Sequence, residues 1–225
     1  MKLRFVSAGA AQALVHATAR AAEVEVEGSF GAVGAMLQKL DAGESADVVI
    51  LTRAQVDELA RQGRVVAGTV ADLGAVATAV AVRANDPPPD ISGEAALRAA
   101  ILAADAIYFP DPSRATAGIH FAKVLGSLGI ADRVRDRIRN FPNGTTSMRE
   151  MAAASGHPLG CTQATEIIAT PGIVLVGPLP RGFDLDTTYT AAVDARAADS
   201  KAARDFVSRL TSSQGRRERE ALGFR

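Results

Sequence analysis

Short apolar segments alternate with amphipathic stretches along almost the whole chain, and this alternation constrains the fold most strongly. The segments predicted as strands are Leu3–Val6, Val24–Val26, Val48–Leu51, Val76–Val82, Ala106–Phe109, Ile173–Val176 and Tyr189–Val193. The segments predicted as helices are Ala11–Arg20, Ala35–Ala42, Gln55–Gln62, Gly93–Ala103, Gly118–Leu128, Met148–Ala154 and Lys201–Leu210. Repeated strand–helix pairs are typical of βα units around largely parallel sheets. The sequence therefore predicts an α/β fold.

The length of 225 residues suits one large or two small domains. We predict two α/β lobes, the first formed by residues 1–80 with 190–225 and the second by residues 81–189. The chain then crosses between lobes twice, near Thr78–Val82 and near Thr187–Ala192. Two crossings predict a hinge that closes the lobes on a ligand held in an interlobe cleft.

Composition excludes several classes of protein. Lys plus Arg and Asp plus Glu both number 25, so no charge excess points to nucleic acid or to an acidic membrane surface. Cys161 is the single cysteine, and no metal-ligand spacing occurs, so neither a disulfide framework nor a metal or cofactor is predicted. The longest apolar stretch, Ala75 to Val82, is far shorter than the roughly twenty residues of a spanning helix, so no membrane insertion is expected.

The first residues run directly into a strand pattern, without a basic segment followed by an apolar one. This predicts a cytoplasmic chain, or a periplasmic one if Met1 replaces a signal sequence.

Small and polar residues fill the turns that follow the predicted strands. These turns are Ser7–Ala10, Gly28–Gly34, Asp111–Gly118 and Asn143–Thr146, and Gly160–Gln163 ends a further predicted strand. In open α/β sheets such turns meet at the carboxyl edge, where helix N-termini present unpaired N–H groups. Several of them together predict a cage for a small anion, whereas any one alone is more typical of a plain helix cap.

Four blocks in the chain resemble the molybdate-binding proteins of ABC importers, which have the type II periplasmic-binding fold. They are Gly28–Gly31 with Leu40–Val49, Asp111-Pro112 with Ala117-Gly118 and the helix to Gly129, Pro158-Leu159-Gly160, and the tail Leu210–Phe224. The blocks occur in the family's order and at nearly its spacing, over almost the whole chain. The resemblance implies two mixed sheets flanked by helices and a hinged cleft for an anion.

The resemblance also implies where the ligand lies. Family positions that hold the oxyanion through side-chain hydroxyls match Ala10, Val33 and Gln163, and two that act through backbone N–H match Ala117 and Thr145. An oxyanion oxygen left unpaired forfeits on the order of 1–3 kcal/mol per missing bond. Molybdate and tungstate are therefore expected to bind poorly.

Other residues in these turns favour a carboxylate. Arg114 lies in the turn before the fifth predicted helix, where its guanidinium can bind a carboxylate through two parallel hydrogen bonds. Threonine hydroxyls add neutral donors. The full predicted ligand-binding set is Ser7, Ala8, Ala10, Ser29, Gly31, Val33, Arg114, Thr116, Ala117, Thr145, Thr146 and Gln163.

Two further stretches, Gly160–Ile167 and Val176–Pro180, resemble a subgroup that includes aconitate isomerases. Two functions therefore stay open: a protein that binds a small anion for an ABC importer or a sensor, and an isomerase that moves a double bond in a tricarboxylate. Binding is favoured because no acid–base pair is recognisable in the sequence, and no catalytic residue is assigned.

Three side chains in this region have a second interpretation. Arg114 could be a surface residue paired with Asp111. His120 is more typical of a packed or capping histidine than of a catalytic base. Cys161 is more typical of a small buried apolar residue than of a nucleophile.

Overall fold

The computed structural model describes residues 2–225. Its strands are β1 (Lys2–Ala8), β2 (Glu25–Gly31), β3 (Val48–Thr52), β4 (Ala71–Arg83), β5 (Ile107–Pro110), β6 (Ile138–Phe141), β7 (Leu159–Gln163), β8 (Ile173–Pro178) and β9 (Asp186–Val193). Its α-helices are α1 (Gln12–Ala21), α2 (Val33–Asp41), α3 (Arg53–Arg61), α4 (Glu94–Ala103), α5 (Thr116–Ser127), α6 (Ala131–Val134), α7 (Gly144–Ala152), α8 (Ala164–Ile168), α9 (Ser200–Thr211) and α10 (Arg216–Ala221).

The chain divides into two compact units. The first unit comprises Met1–Val76 with Thr187–Arg225, and the second comprises Ala77–Asp186. The chain leaves the first unit within β4 and returns to it at the start of β9.

The first unit is built on a mixed sheet in the order β2-β1-β3-β9, in which β1 is parallel to both β2 and β3 and β9 is antiparallel to β3. Phe5 on β1 is fully buried, and its ring contacts Phe206 of α9 edge-on at 5.3 Å between centroids. The buried carboxylate of Asp47 accepts hydrogen bonds from Arg4 and from the backbone N–H of Ala198. These contacts fix the start of β3 beside β1.

The second unit contains a second mixed sheet, in the order β8-β4-β7-β5-β6. β4 is antiparallel to β7 and β8, whereas β5 is parallel to β7 and β6. Apolar side chains of this sheet pack with α4 and α5 into one core, in which Phe109 and Phe121 contact each other at 5.2 Å between ring centroids. The predicted α/β class, with mixed sheets flanked by helices, is confirmed.

Three short elements were not predicted: β6, α6 and α8. β6 reads Ile-Arg-Asn-Phe, and α6 and α8 span four and five residues, so none of them is long enough to show a period of its own. Within residues 2–225, none of the helices combines the length and the apolar character needed to cross a membrane.

Candidate functional site

The first unit carries half of the predicted ligand-binding residues, and it places four of these six differently from the prediction. Ser7 and Ala8 end β1, and Ser29 and Gly31 end β2, so these four lie in strands and not in turns. The predicted strand boundaries were wrong because parallel pairing of β1 with β2 continues to Ala8 opposite Gly31. The ladder thus supplies hydrogen bonds that hold small and polar residues extended.

Ala10 and Val33 do follow the strands, as predicted. Ala10 lies in the short 3₁₀ turn Gly9–Ala11 and is buried, and Val33 is the first residue of α2 and is also buried. Neither side chain can donate a hydrogen bond.

The hydroxyls of the two predicted serines in this unit already have partners. Ser7 Oγ donates to the carbonyl of Ala8 at 3.0 Å, and Ser29 Oγ donates to Glu44 Oε1 at 2.6 Å. Lys39 and Ser29 hold the pKa of Glu44 below its usual value through these hydrogen bonds. A ligand would therefore have to compete with the protein for either hydroxyl.

The second unit brings its predicted residues to one edge of its sheet. β5 and β7 run parallel, with Tyr108 level with Gly160, so their carboxyl ends lie side by side. Helix α5 begins six residues after β5, and α8 begins directly after β7. Three helices begin in this region: the N-cap side chains of α5 and α8 form no capping hydrogen bond, whereas the N-cap side chain of α7 does.

Helix α5 begins without a side-chain cap. Its N-cap residue is Ala115, which has no side chain that could accept a hydrogen bond, and no side chain within residues 2–225 caps this helix. Thr116 and Ala117 are its first two residues, the former half-buried and the latter buried. The first N–H groups of a helix have no intrahelical partner, so this end can accept an anion.

Gly118 sets how closely α5 approaches the end of β5. A Cβ atom at this position would collide with the carbonyl oxygens of Pro110 and Asp111. Only glycine therefore allows the α5 N-terminus to lie against the sheet edge.

We expect Gly118→Ala to lower the free energy of unfolding by about 2–4 kcal/mol, because the clash is with backbone and cannot be relieved by a rotamer change. Urea denaturation followed by circular dichroism would measure it. Gly126→Ala is the matched control, since a Cβ on Gly126 in the same helix meets no atom within 4 Å. The control should be neutral or stabilising by up to about 1 kcal/mol. Equal effects of the two substitutions would contradict the close approach.

Arg114 precedes this helix and is exposed. The alternative pairing with Asp111 is not observed: the Asp111 carboxylate accepts hydrogen bonds from the N–H and hydroxyl of Ser113 at 2.7 and 2.6 Å. Those bonds are the main reason that the pKa of Asp111 lies below its usual value. Across residues 2–225, Arg114 forms no ion pair within 4 Å, so its guanidinium remains available.

The capped N-terminus belongs to α7, which begins at Gly144 and not at Met148 as predicted. Asn143 is its N-cap and accepts a hydrogen bond from the Thr146 N–H at 2.8 Å, which extends the helix over the predicted turn. The N–H groups of Gly144 and Thr145 hydrogen-bond to the carboxylate of Glu166.

Glu166 is a buried polar residue of this region that the sequence analysis missed. Its carboxylate is buried and accepts a 2.6 Å hydrogen bond from Thr162 Oγ1 and further bonds from the N–H groups of Gly144, Thr145 and Gln163. Burial raises the pKa of Glu166, and these hydrogen bonds oppose the rise. An internal carboxyl group therefore already occupies the helix end from which Thr145 was predicted to bind the ligand.

A sequence signal for Glu166 did exist. Gln163 is the N-cap of α8 and Glu166 is its third residue, the position from which a glutamate reaches back to the N-cap N–H. The residues that would collide with a Cβ on Gly144 are Glu166 and Thr162, so the same contact explains a glycine there.

Gln163 ends β7 and is 3% exposed, yet neither its Nε2 nor its Oε1 has a hydrogen-bond partner within residues 2–225. Thr78 lies directly opposite on β4, and its buried hydroxyl is also without a partner. Buried polar groups are almost always paired, and each unpaired one costs about 1–3 kcal/mol. Gln163 and Thr78 are therefore candidate ligand contacts.

The remaining two side chains have structural roles. His120 Nε2 hydrogen-bonds to the carbonyl oxygen of Phe183 at 2.6 Å, so His120 is a packed histidine that donates from Nε2. Cys161 is fully buried in the core of the second unit, and burial raises the pKa of its thiol well above the usual value. The thiolate needed for nucleophilic chemistry is therefore disfavoured.

Comparison with known proteins places the chain among binding proteins. The family model described as "Bacterial extracellular solute-binding protein" matches residues 3–225. The chain is 28% identical over 192 residues to an aconitate isomerase from a Pseudomonas species, covering 85% of this chain and 71% of that protein.

Two solved structures share the fold. The periplasmic molybdate-binding protein of Azotobacter vinelandii aligns with a TM-score of 0.75 and 18% identity, over 99% of this chain and 98% of that one. The sulfate-binding protein SubI of Mycobacterium tuberculosis H37Rv aligns with a TM-score of 0.72 and 19% identity, over 100% of this chain and 86% of that one. The resemblance to molybdate-binding proteins and the type II periplasmic-binding fold are confirmed.

Proposed function

Because the chain belongs to the bacterial extracellular solute-binding proteins, we propose that it captures a small organic anion that carries a carboxylate. The contacts assigned to the second unit are the N-terminus of α5, Arg114 and Gln163. A binding protein of this family would deliver its ligand to an ABC importer from outside the cytoplasm, and we include that partner and that compartment in the proposal.

The observation that carries the proposal is the unpaired amide of Gln163 at the sheet edge where α5 begins without a cap. Helix N–H groups and an amide donor suit the oxygens of an anion. The exposed guanidinium of Arg114 adds a full positive charge to the partial positive charge of the helix N-terminus. Its planar group can form two parallel hydrogen bonds with a carboxylate.

Other features argue against a bare tetrahedral oxyanion. Ala10 and Val33 offer no side-chain donors, and the Thr145 N–H is taken by Glu166. The protein would therefore offer molybdate and tungstate fewer hydrogen-bond donors than their oxygens need.

A thermal-shift screen followed by calorimetry tests the proposal on the full chain, with succinate, malate, citrate, propane-1,2,3-tricarboxylate, sulfate, molybdate and tungstate. A ligand present at 100 times its Kd stabilises the folded state by about 2.7 kcal/mol, which raises the Tm of a chain of this size by several degrees. We expect such a shift from at least one carboxylate and none from molybdate or tungstate. A sub-micromolar Kd for molybdate or tungstate, with no carboxylate binding, would overturn the proposal.

The second candidate function is isomerisation of a tricarboxylate, favoured by the 28% identity to an aconitate isomerase. Such a reaction removes a proton from one carbon and returns one to another, so it needs a group that can hold a proton next to the substrate. His120 is hydrogen-bonded to Phe183, and the Glu166 carboxylate is enclosed by the donors it binds. Proton NMR of cis- and trans-aconitate incubated with the chain would detect interconversion, and its absence would leave binding as the function.

A further inference from the structure

We propose that Gln163 selects for an anion that carries a hydroxyl group beside its carboxylate, a hydroxycarboxylate. The inference rests on the proposed function and names its ligand more closely. It starts from the chemistry of one side chain: an amide offers two N–H donors on Nε2 and an acceptor on Oε1, and in Gln163 both ends are buried and unpaired.

The register of the sheet shows where this amide lies. Side chains alternate along β7, so Gln163 lies on the same face as Leu159 and Cys161, which pack in the core with Phe121 of α5. Thr78, opposite Gln163 on antiparallel β4, lies on that face as well. Gln163 and Thr78 therefore lie next to the core residues, on the face of the sheet that α5 covers.

A ligand must satisfy both ends of the amide to remove the cost of burying it. A carboxylate or a bare oxyanion such as sulfate has only acceptor oxygens at neutral pH. It can pair with Nε2, but it brings negative charge towards Oε1 and leaves that acceptor unpaired. A hydroxyl group on the ligand supplies the missing donor.

The chain itself offers a competing donor across the strand pair. The Thr78 hydroxyl is the neighbour across the strand pair, but it forms no hydrogen bond with Gln163 in the structure. If Thr78 satisfied Oε1 when the ligand binds, a hydroxyl on the ligand would bring no advantage. A preference for hydroxylated ligands therefore shows that Oε1 pairs with the ligand, and the absence of a preference is what pairing with Thr78 predicts.

Calorimetry on the full chain at pH 7.5 tests this with two pairs of probes that differ only in a hydroxyl group. They are malate against succinate and citrate against propane-1,2,3-tricarboxylate. We expect the hydroxylated member of at least one pair to bind about tenfold more tightly or better, as one additional bond to an unpaired buried group allows. In Gln163→Met, which keeps the length of the side chain without its polar atoms, the ratio should fall to within about twofold.

Gln38→Met is the matched control, because Gln38 is exposed on α2 in the first unit. It should keep the wild-type ratio. If both members of each pair bind the wild-type chain equally, the inference is overturned while the proposed function stands. A preference that survives in Gln163→Met also overturns it, because the hydroxyl is then recognised elsewhere. If none of the four probes binds, the proposed function and the inference fail together.

Discussion

Glu166→Ala is expected to lower the free energy of unfolding by about 3–5 kcal/mol. The substitution removes the acceptor for the Thr162 hydroxyl and for the N–H groups of Gly144, Thr145 and Gln163. Each buried donor left unpaired costs about 1–3 kcal/mol, reduced where water can enter the space. Urea denaturation monitored by circular dichroism would measure the loss.

Glu150→Ala is the matched control, since Glu150 is exposed on the same helix, α7. A surface substitution of this kind should stay within about 0.5 kcal/mol of wild type. A loss at Glu166 no larger than at Glu150 would show that the buried carboxylate does not hold β7, α7 and α8 together.

The pH dependence of the unfolding free energy gives a second test of the role of Glu166. Because burial raises the pKa of Glu166 above its ordinary value near 4.5, the folded chain holds this proton more tightly than the unfolded chain. The stability gained from that proton is fully present below the ordinary pKa and is lost as the pH rises through the raised pKa. Glu166→Gln removes the titrating carboxyl group. The unfolding free energy of wild type minus that of this variant should therefore fall as the pH rises from the ordinary pKa through the raised pKa of Glu166.

Carboxyl groups whose pKa is lowered, such as Asp47 and Asp86, act in the opposite direction in both proteins. Their contribution cancels in the difference between wild type and Glu166→Gln. If the difference rises with pH, the hydrogen bonds to Glu166 outweigh its burial and its pKa is lowered in the folded chain.

The fold could be predicted because its strands are apolar and its helices are amphipathic over most of their length. All seven predicted strands overlap observed ones, since burial on both faces of a sheet demands runs such as Val48–Leu51. Strand ends were less predictable. β2 continues through Gly28, Ser29 and Gly31 because of its pairing with β1, and pairing between distant segments leaves no local pattern.

The turns after the strands could be predicted, whereas the pairing of their side chains could not. Small and polar turns predicted a site at the sheet edge where α5 begins beside β5 and β7. Hydrogen-bond donors in the predicted turns can be paired with side chains from other parts of the sequence. Glu166 takes the N–H of Thr145, and Glu44 takes the hydroxyl of Ser29, and both contacts exist only once the elements have packed.

Arg114→Ala is expected to weaken binding of a di- or tricarboxylate by about 2–5 kcal/mol, which is roughly 30-fold or more in Kd. The guanidinium lies in the segment that leads into the uncapped α5 and has no ion pair within residues 2–225, so a ligand carboxylate would be its first partner. Because Arg114 is exposed in the free chain, solvent screening places the effect towards the lower end of this range. Calorimetry with the carboxylate that binds most tightly would measure it.

Two further variants separate geometry from charge. Arg114→Lys keeps the charge but cannot form the planar pair of hydrogen bonds, so it should recover only part of the affinity. Arg133→Ala removes the same charge from an exposed position on α6 and should leave the Kd within about twofold. If Arg133→Ala weakens binding as much as Arg114→Ala, the effect belongs to net charge. If Arg114→Ala binds like wild type, Arg114 is a surface residue and the anion depends on the α5 N–H groups and Gln163 alone.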